Sequence, residues 1–550
     1  MSWLKRTHSI VGLTVGGFVL IWAWGLGKVP LFDWDEVNFA ECTREMRLTG
    51  EYIVPQIGFL PFWEKPPLFF WVQSLTMSLA GENAWGARLP NILIGAITLL
   101  VLFVQGRQWH SPAFGFFWMF FYGVSLLPAF YARSGLIDPL FNLFMFLATL
   151  QGARYLEDRS AWAALGMGVW AGLATLTKGP VGLLLPALAV GTLGFLSRKP
   201  GRLLKLAGVA ALPYVALVGG WVFLLWKKGS SKLLADFWAY QWRLFSTPDA
   251  GHAGPVYYHF LVLLLGMFPA SVWALGGGYR WNLPFPARAL LLLTVWTVLI
   301  FSVVRTKILH YSSLAYYGVA YLAAWVWMHR RKTLSWPWAV IGGVLLLVGV
   351  ATVAAGWLMT QSAVWAPRLE DAFVRAALLE TPLRWSGFEG WPGFILLIGA
   401  GLLGLLPLTP TLRLIGLGIL LLVWQTAVLA VFAPRVEAYS QGPLRAFCEQ
   451  AAQAGAIVWP LGFKSYVPFF YGRMRPEASP REMGNVGRFE QALLQSRFAY
   501  PVLFVSRVDR YEPYLRAHAL QVIARQGGYV LLGLSGGVPG QACGRCSFAP

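Results

Sequence analysis

The stretch PWAVIGGVLLLVGVATVAAGWL, residues 337–358, contains no charged side chain. A helix needs about 20 apolar residues to cross the hydrocarbon core of a bilayer, so this stretch is long enough to span one. The whole chain of 550 residues repeats the pattern, with 57% hydrophobic and only 12% charged residues. Soluble proteins carry about 25% charged residues. The sequence therefore predicts an α-helical polytopic membrane protein.

Apolar stretches of similar composition lie on both sides of this one, and they predict about thirteen transmembrane helices. Backbone groups in lipid have no water to bind, so each span must satisfy its own hydrogen bonds as a helix. The predicted spans are residues 9–27, 90–105, 112–130, 139–153, 162–176, 180–196, 206–226, 257–278, 288–304, 309–328, 337–358, 391–407 and 412–433.

The distribution of lysine and arginine predicts the orientation of these spans, because cytoplasmic loops are enriched in positive charge. If the N-terminus is inside, the short inner loops hold fifteen Lys and Arg residues and the short outer loops hold four. An odd number of spans then puts the C-terminus outside, and segments 28–89, 227–256 and 359–390 form long outer loops. We expect a multi-pass protein of the bacterial inner membrane whose active face is periplasmic.

The last segment of the chain has ordinary polarity and predicts a small α/β domain outside the membrane. Short apolar runs alternate there with helix-like stretches, which is typical of mixed structure. The apolar runs are residues 456–460, 501–505 and 529–534, and the helix-like stretches are 443–454, 488–496 and 514–525. We therefore divide the chain into a transmembrane domain over residues 1–433 and a periplasmic domain over residues 434–550.

The net charge of +20 has two readings. In a soluble protein it would favour nucleic acid as a partner. In a membrane protein it reflects cytoplasmic loops and anionic lipid headgroups, so we expect membrane lipids and no nucleic acid as partners. The CGRC pair of Cys543 and Cys546 has no second pair to complete a zinc ribbon. It is either an outer-face disulfide or an unpaired feature of the tail.

Four cations lie at the predicted outer ends of spans, where the charge distribution disfavours them: Arg133, Lys178, Arg305 and Lys307. Any one of them can be a long side chain that reaches the interface. Because four come from different helices, together they predict a convergent site for a phosphate or pyrophosphate group.

The first outer loop begins with LFDWDEVNFAECTREM, residues 31–46, in which Asp33, Asp35 and Glu36 are crowded together. Its periodicity predicts an amphipathic helix over residues 36–48 on the membrane surface. Asp35 alone is explained as the N-cap of that helix. An N-cap role does not explain three neighbouring carboxylates, and such a group suits a general base or a metal site.

Two further motifs carry charged residues next to proline. In GFLPFWEKPPLFFW, residues 58–71, Pro66 forces extended backbone at the pair Glu64 and Lys65, which on its own could be a surface ion pair. Asp138 directly precedes Pro139, which predicts that Asp138 caps a helix beginning there.

Taken in order, these motifs resemble the bacterial lipid A aminoarabinose transferases and their protein O-mannosyltransferase relatives, which are membrane glycosyltransferases of the C superfamily. The resemblance covers most of the first 330 residues. The motifs are DEVNFAECTREM, FWEKPPLFFW, ENAWGARLPN, ARSGLIDPL, LTKGPVGLLLP, GHAGPVYYHFLVLLLGMFPAS and TKILHYSSLAYY. The predicted spans, orientation and outer C-terminal domain agree with the family.

The resemblance implies roles for individual residues. It implies catalytic roles for the acidic groups Asp35, Glu36 and Asp138, with Asp35 as the base on an acceptor hydroxyl. It implies a place near the donor phosphate for Lys178, Lys307 and Tyr311, and it matches Lys65 to the family's EKPP element. With Asn38 in the first motif and the cations Arg133 and Arg305, these are the residues that we expect to bind substrate or phosphate. Glu64 and His252 match a pair that can bind a divalent metal (Zn, Mg or Mn), although two ligands are too few for a closed site. No nucleotide cofactor is expected, because the phosphate of a lipid donor is already a leaving group.

The reaction implied is an inverting transfer of a sugar from an undecaprenyl-phosphate donor to lipid A or lipopolysaccharide. A protein O-glycosyltransferase with the same class of donor is the alternative. A transporter of a lipid-linked substrate is less favoured, because transporters place charged groups near the membrane midplane. Asn38 stands where the aminoarabinose enzymes carry arginine, and losing that guanidinium leaves the sugar and the acceptor open.

Overall fold

The structure, a computed structural model, describes residues 2–247, 253–279, 283–331, 333–495 and 500–535. In this part of the chain a helical bundle is followed by a small sheet. The helices of the first half are α1 (Ser2–Ala23), α2 (Asp35–Thr49), α3 (Leu68–Ala80), α4 (Ala84–Trp109), α5 (Pro112–Val124), α6 (Leu126–Tyr131), α7 (Asp138–Asp158), α8 (Ala161–Lys178), α9 (Val181–Leu196), α10 (Pro200–Lys227), α11 (Lys232–Ser246) and α12 (Tyr258–Gly266).

The second half continues with α13 (Ala270–Ala274), α14 (Phe285–Val303), α15 (Tyr316–Arg330), α16 (Trp336–Thr360), α17 (Ser362–Trp365), α18 (Ala372–Glu380), α19 (Trp391–Leu405), α20 (Pro410–Ser440), α21 (Gly442–Gln453), α22 (Val467–Phe470), α23 (Val486–Leu494) and α24 (Glu512–Ala517). Short 3₁₀ helices lie at Leu309–Ala315, Ala366–Arg368, Phe388–Gly390, Pro476–Ala478 and Pro480–Met483. The strands are β1 (Gln56–Ile57), β2 (Leu60–Pro61), β3 (Ile457–Pro460), β4 (Val502–Arg507), β5 (Leu520–Gln526) and β6 (Tyr529–Leu534).

Within the described residues, six helical segments are long and apolar enough to cross a membrane. They are α4, α10, α14, α16, Phe388–Leu405 and α20, and four shorter apolar stretches are found at Ser9–Ala23, α3, α5 and α9. The apolar stretches predicted from the sequence therefore form helices of a multi-pass bundle. The total of about thirteen spans stays a prediction, because several helices are shorter than a full crossing.

Two predicted spans, 112–130 and 257–278, are broken rather than continuous. The first breaks at Ser125 between α5 and α6, and the second breaks before Pro269 between α12 and α13. The two breaks meet, since Leu126 N donates to Phe268 O (3.2 Å) and Ser125 Oγ donates to Met267 O (3.1 Å). The freed backbone groups thus satisfy one another inside the protein, which is the condition under which broken helices are tolerated at membrane depth.

The predicted helix of the first outer loop is confirmed as α2, but its predicted one-sided burial is wrong. Every residue from Glu36 to Met46 is buried. Helices α3 and α22 both pack on α2, and its polar residues are buried as well as its apolar ones. A helix of this loop is therefore enclosed between the bundle and the C-terminal segment instead of lying on a lipid surface.

The C-terminal segment forms a four-stranded sheet in the order β3-β4-β6-β5, with β3 and β4 parallel and the other pairs antiparallel. The prediction of a helix-like stretch over residues 514–525 is wrong for its second half. After α24 the chain forms the edge strand β5. Pairing with β6, through a turn at Gly527 and Gly528 that both have positive φ, outweighs the local helical pattern.

The sheet segment is fastened to the first outer loop by hydrogen bonds around Asp33. Gln441 accepts from Asp33 N (2.7 Å) and donates to Leu31 O (2.7 Å), and Asp33 Oδ1 accepts from Tyr466 N (2.9 Å). Burial raises the pKa of the Asp33 carboxyl, while hydrogen bonds from Ser465 and from the backbone of Tyr466 oppose that shift. The C-terminal segment is thereby fastened to the loop that carries the predicted acidic residues.

Candidate active site

Asp138 and Lys178 form an ion pair at one end of the helical bundle. Lys178 Nζ lies 2.6 Å from Asp138 Oδ1, and His310 Nε2 lies 3.7 Å from Asp138 Oδ2. Lys178 also lies over the ring of Tyr311, 5.3 Å from its centroid. The structure therefore brings Asp138, Lys178 and Tyr311 together and adds His310, which the sequence reasoning missed although it stands next to Tyr311 in the TKILHY motif.

Asp138 does not cap its helix as predicted. It is the first residue of α7, and no side-chain cap is made at that end. Its carboxylate is directed to Lys178 and His310 instead, because an ammonium partner in a buried setting stabilises a carboxylate more than a backbone N–H does. Asp138 is buried, so this charge is compensated only inside the cluster.

Lys65 belongs to the same loop as Asp35. It interacts electrostatically with the carboxylates of Glu64, Asp35 and Asp138 and with the ammonium of Lys178. Burial lowers the pKa of the Lys65 ammonium, and the neighbouring carboxylates work against that shift. Its Nζ is 5.6 Å from the ring centroid of Tyr240 in α11, whose ring packs edge-on against Trp63. Lys65 therefore interacts with every other member of the set Asp35, Glu64, Asp138 and Lys178, and we call these five residues the charged group.

Asp35 is half-buried at the start of α2 and is the one acidic group of its motif that remains open. No described residue donates a hydrogen bond to its carboxylate. It follows Trp34, which has φ 72 and ψ −120, and it does not act as an N-cap. A non-glycine residue at such a φ is strained, and strain of this kind collects at functional sites. The Asp35 carboxylate interacts electrostatically with the ammonium of Lys65.

Glu36, by contrast, is fully engaged in a buried network. Arg88 binds it with two hydrogen bonds, Nε to Oε1 (2.8 Å) and Nη2 to Oε2 (2.7 Å), and the backbone N–H groups of Gly135 and Phe32 add 2.7 and 3.1 Å contacts. Burial would raise the pKa of Glu36, but the Arg88 guanidinium and these hydrogen bonds hold it below its usual value. Glu36 is therefore a positioning residue that locks Asp35 and the loop before Asp138 in place.

Two of the four predicted phosphate cations have other partners. Lys307 Nζ donates to the carbonyls of Phe301, Ser302 and Val304 at 2.6–3.0 Å, so it caps the end of α14. Arg133 Nη2 donates to Ile21 O and Thr426 Oγ1, which ties α1 to α20. The last carbonyls of a helix lack partners, and a lysine with three donors satisfies them well.

Arg305 is exposed at the end of α14, and only Lys178 of the four joins the carboxylate cluster. The predicted convergence of four cations is therefore not formed. Asn38, one turn into α2, is buried, and its Oδ1 has no hydrogen-bond partner among the described residues.

The predicted metal pair is described only in part. His252 lies outside the described residues, and Glu64 contacts Lys464 of the C-terminal segment, with 3.8 Å between Oε1 and Nζ. In the described stretches no three His, Cys, Asp or Glu side chains form a metal-binding group. Glu64 alone cannot define a metal centre. Cys543 and Cys546 also lie outside the described residues. No pattern near Lys464 in the sequence predicted its contact with Glu64.

Known proteins with similar sequences point to one class of enzyme. Residues 64–226 match the family described as dolichyl-phosphate-mannose-protein mannosyltransferase. An undecaprenyl phosphate-alpha-4-amino-4-deoxy-L-arabinose arabinosyl transferase of Pectobacterium atrosepticum is 28% identical over 358 residues, which are 62% of this chain and 64% of that protein. One of Sodalis glossinidius is 30% identical over 55% of this chain and 56% of that protein. The chain thus matches less than two thirds of the length of these relatives.

A solved structure shares the fold over nearly the whole chain. The crystal structure of ArnT from Cupriavidus metallidurans bound to undecaprenyl phosphate superposes with a TM-score of 0.74 at 19% identity, covering 96% of this chain and 98% of that one. The predicted fold, a polytopic helical membrane protein with a small C-terminal α/β segment, is confirmed. The resemblance to the aminoarabinose transferases and their mannosyltransferase relatives is confirmed as well.

Proposed function

We propose that this chain is an inverting membrane glycosyltransferase that moves a sugar from an undecaprenyl-phosphate donor to an envelope acceptor. The observation that carries the proposal is the charged group in which Lys65 interacts electrostatically with the open carboxylate of Asp35 and with the Asp138–Lys178 ion pair. The relatives named for aminoarabinose transfer favour that sugar and a lipid A type of acceptor.

The geometry suggests a division of labour. Lys178 has three donors and uses one on Asp138, so it can hold the phosphate of the donor together with Lys65. An acceptor oxygen attacks the anomeric carbon, the bond from that carbon to the phosphate oxygen breaks, and polyprenyl phosphate leaves with the electron pair. A hydroxyl acceptor would pass its proton to Asp35, whereas a phosphate acceptor is already ionised and would only be oriented by Asp35.

The location that we propose is the periplasmic face of the bacterial inner membrane. The loops rich in lysine and arginine fall on the side opposite to Asp35 when the N-terminus is placed in the cytoplasm. None of these reaction steps is assigned to a metal ion.

Protein O-glycosylation is the second candidate, and the match of residues 64–226 to a mannosyltransferase family favours it. A transporter is less favoured, because the open acidic group lies in an outer loop rather than in a broken helix at the midplane.

One experiment separates these functions. Envelope lipids and glycoproteins from cells with and without the gene would be compared by mass spectrometry. A lipid A species that gains a pentosamine only when the protein is present supports the proposal. A protein-linked sugar supports the second candidate, and no change in either class of acceptor contradicts both.

A further inference from the structure

A cation of the outer domain reaches the edge of the charged group. Lys464 Nζ lies 3.8 Å from Glu64 Oε1, 5.5 Å from the ring centroid of Trp34 and 5.2 Å from that of Tyr466. The side chain of Lys464 is 57% exposed. The distance to Glu64 is too long for a hydrogen bond, so the ammonium keeps donors for a ligand that approaches from solvent.

The loop that presents Lys464 is fixed on both sides. It follows β3, where Leu461 N donates to Val505 O (2.8 Å) and Arg510 Nη1 donates to Gly462 O (2.8 Å). On the other side Tyr466 N donates to Asp33 in the first outer loop. Because β3 and β4 are parallel, the loop lies at their carboxyl ends, where α/β sheets usually bind ligands. The position of Lys464 is thus set before any ligand arrives.

Lys65 interacts with two carboxylates that each pair with another cation, Asp138 with Lys178 and Glu64 with Lys464. Lys178 belongs to a helix of the bundle, whereas Lys464 belongs to the outer domain. A lipid-linked donor has to present its phosphate from the membrane, so Lys464 is left for a group that arrives from outside.

We propose that Lys464, flanked by the rings of Trp34 and Tyr466, binds an anionic group of the acceptor, of the phosphorylated-sugar class. This inference rests on the proposed function and adds a contact that selects the acceptor. The ammonium supplies charge to a phosphate, and the half-exposed ring of Trp34 supplies an apolar face for the sugar that carries it. In the described part of the chain, the recorded contacts of Lys464 and Trp34 do not include Asp138 or Lys178.

Steady-state kinetics with two acceptors test the proposal. Lys464→Ala is expected to raise KM about 10-fold for a glycolipid that carries a phosphate besides its attacking group, and to leave KM unchanged for the form that lacks this additional phosphate. The KM of the donor and the hydrolysis of the donor without acceptor should stay at wild-type values. Lys464→Arg should restore most of the affinity. Arg516→Ala is the matched control, because Arg516 is a cation of the same domain that pairs with Glu512 on its own helix.

Several results would overturn the assignment of Lys464 to the acceptor. An unchanged acceptor KM, or an equal rise for both acceptors, overturns the assignment of Lys464 to an acceptor phosphate. A rise in donor KM instead, or competition by undecaprenyl phosphate that Lys464→Ala abolishes, would place Lys464 on the donor side and also overturns it.

Failure of the proposed function would look different. The wild-type protein would transfer no sugar from any polyprenyl-phosphate donor. Binding of the phosphorylated glycolipid to the protein in nanodiscs, measured without donor, then still tests Lys464: loss of that binding in Lys464→Ala supports the site, and unchanged binding overturns it.

Discussion

Lys178, the last residue of α8, donates a 2.6 Å hydrogen bond to Asp138, the first residue of α7, so two helix ends share one buried ion pair. This pairing neutralises Asp138 and leaves two ammonium donors of Lys178 for another anion. The pair is therefore the part of the molecule best suited to hold the phosphate of a donor.

Lys178→Ala should weaken donor affinity about 10- to 100-fold, since it removes a hydrogen bond from a charged group in a shielded site. Titration of undecaprenyl phosphate into the protein in nanodiscs would measure the change. Lys307→Ala is the control, because Lys307 donates only to carbonyls at the end of α14. It should lower the unfolding temperature without changing the donor affinity of the folded protein. Equal affinity losses in both variants would contradict the assignment.

Asp35→Asn should lower kcat about 10²–10⁴-fold when the acceptor is a hydroxyl, since the amide cannot accept a proton. The variant should fold normally, because no described residue donates a hydrogen bond to Asp35 and the buried Lys65 keeps the carboxylates of Glu64 and Asp138 as partners. Transfer measured with donor and acceptor at saturation, beside thermal unfolding in detergent, checks both halves. A variant with wild-type turnover would remove Asp35 from the chemistry.

Glu36→Gln should show the reverse pattern and act mainly on stability. It breaks a buried pair with Arg88 and leaves that guanidinium uncompensated, which costs about 3–5 kcal/mol. Glu512→Gln, in an exposed pair with Arg516, serves as the control and should cost at most about 1 kcal/mol. Denaturant unfolding would compare the two. A Glu36→Gln protein as stable as the wild type but inactive would restore Glu36 as a residue that touches substrate.

The class of fold could be predicted from the sequence because apolar length and charge bias act over whole segments. The helix at Asp35–Thr49 and three of the four strands of the C-terminal sheet were also predictable, because local sequence patterns determine their conformation. Strand β5 was not, since its pairing with β6 decides its conformation. The breaks at Ser125 and before Pro269 were also hidden, because each is satisfied by the other helix pair.

The candidate site was predictable in part. Counting charges tells at which end of a span a cation lies, but it does not tell which way the side chain points around the helix. For that reason Lys178 and Lys307 looked alike, although one meets Asp138 and the other meets its own helix end. Lys464 is brought to Glu64 by the docking of a domain far along the chain, and nothing near it in the sequence marks that contact.

Glu45 should make the stability of the first outer loop depend on pH. Its two oxygens accept hydrogen bonds from Gly58 N (2.6 Å) and Phe59 N (2.7 Å), and Glu41 lies nearby. Burial, followed by the charge of Glu41, raises the pKa of the Glu45 carboxyl well above its usual value. The folded protein therefore binds a proton that the unfolded chain releases at lower pH, so this group's contribution is greatest below the unfolded pKa and falls as pH rises toward the folded one.

Glu45→Gln keeps the side chain neutral and should reduce the loss of unfolding temperature between about pH 5 and about pH 8. Thermal unfolding of wild type and variant at both pH values measures the difference, and comparing the two proteins cancels the contribution of every other titrating group. Glu512→Gln, whose carboxylate is exposed, should leave the pH dependence as it is. If Glu45→Gln unfolds with the same pH dependence as the wild type, the proton is not held at Glu45.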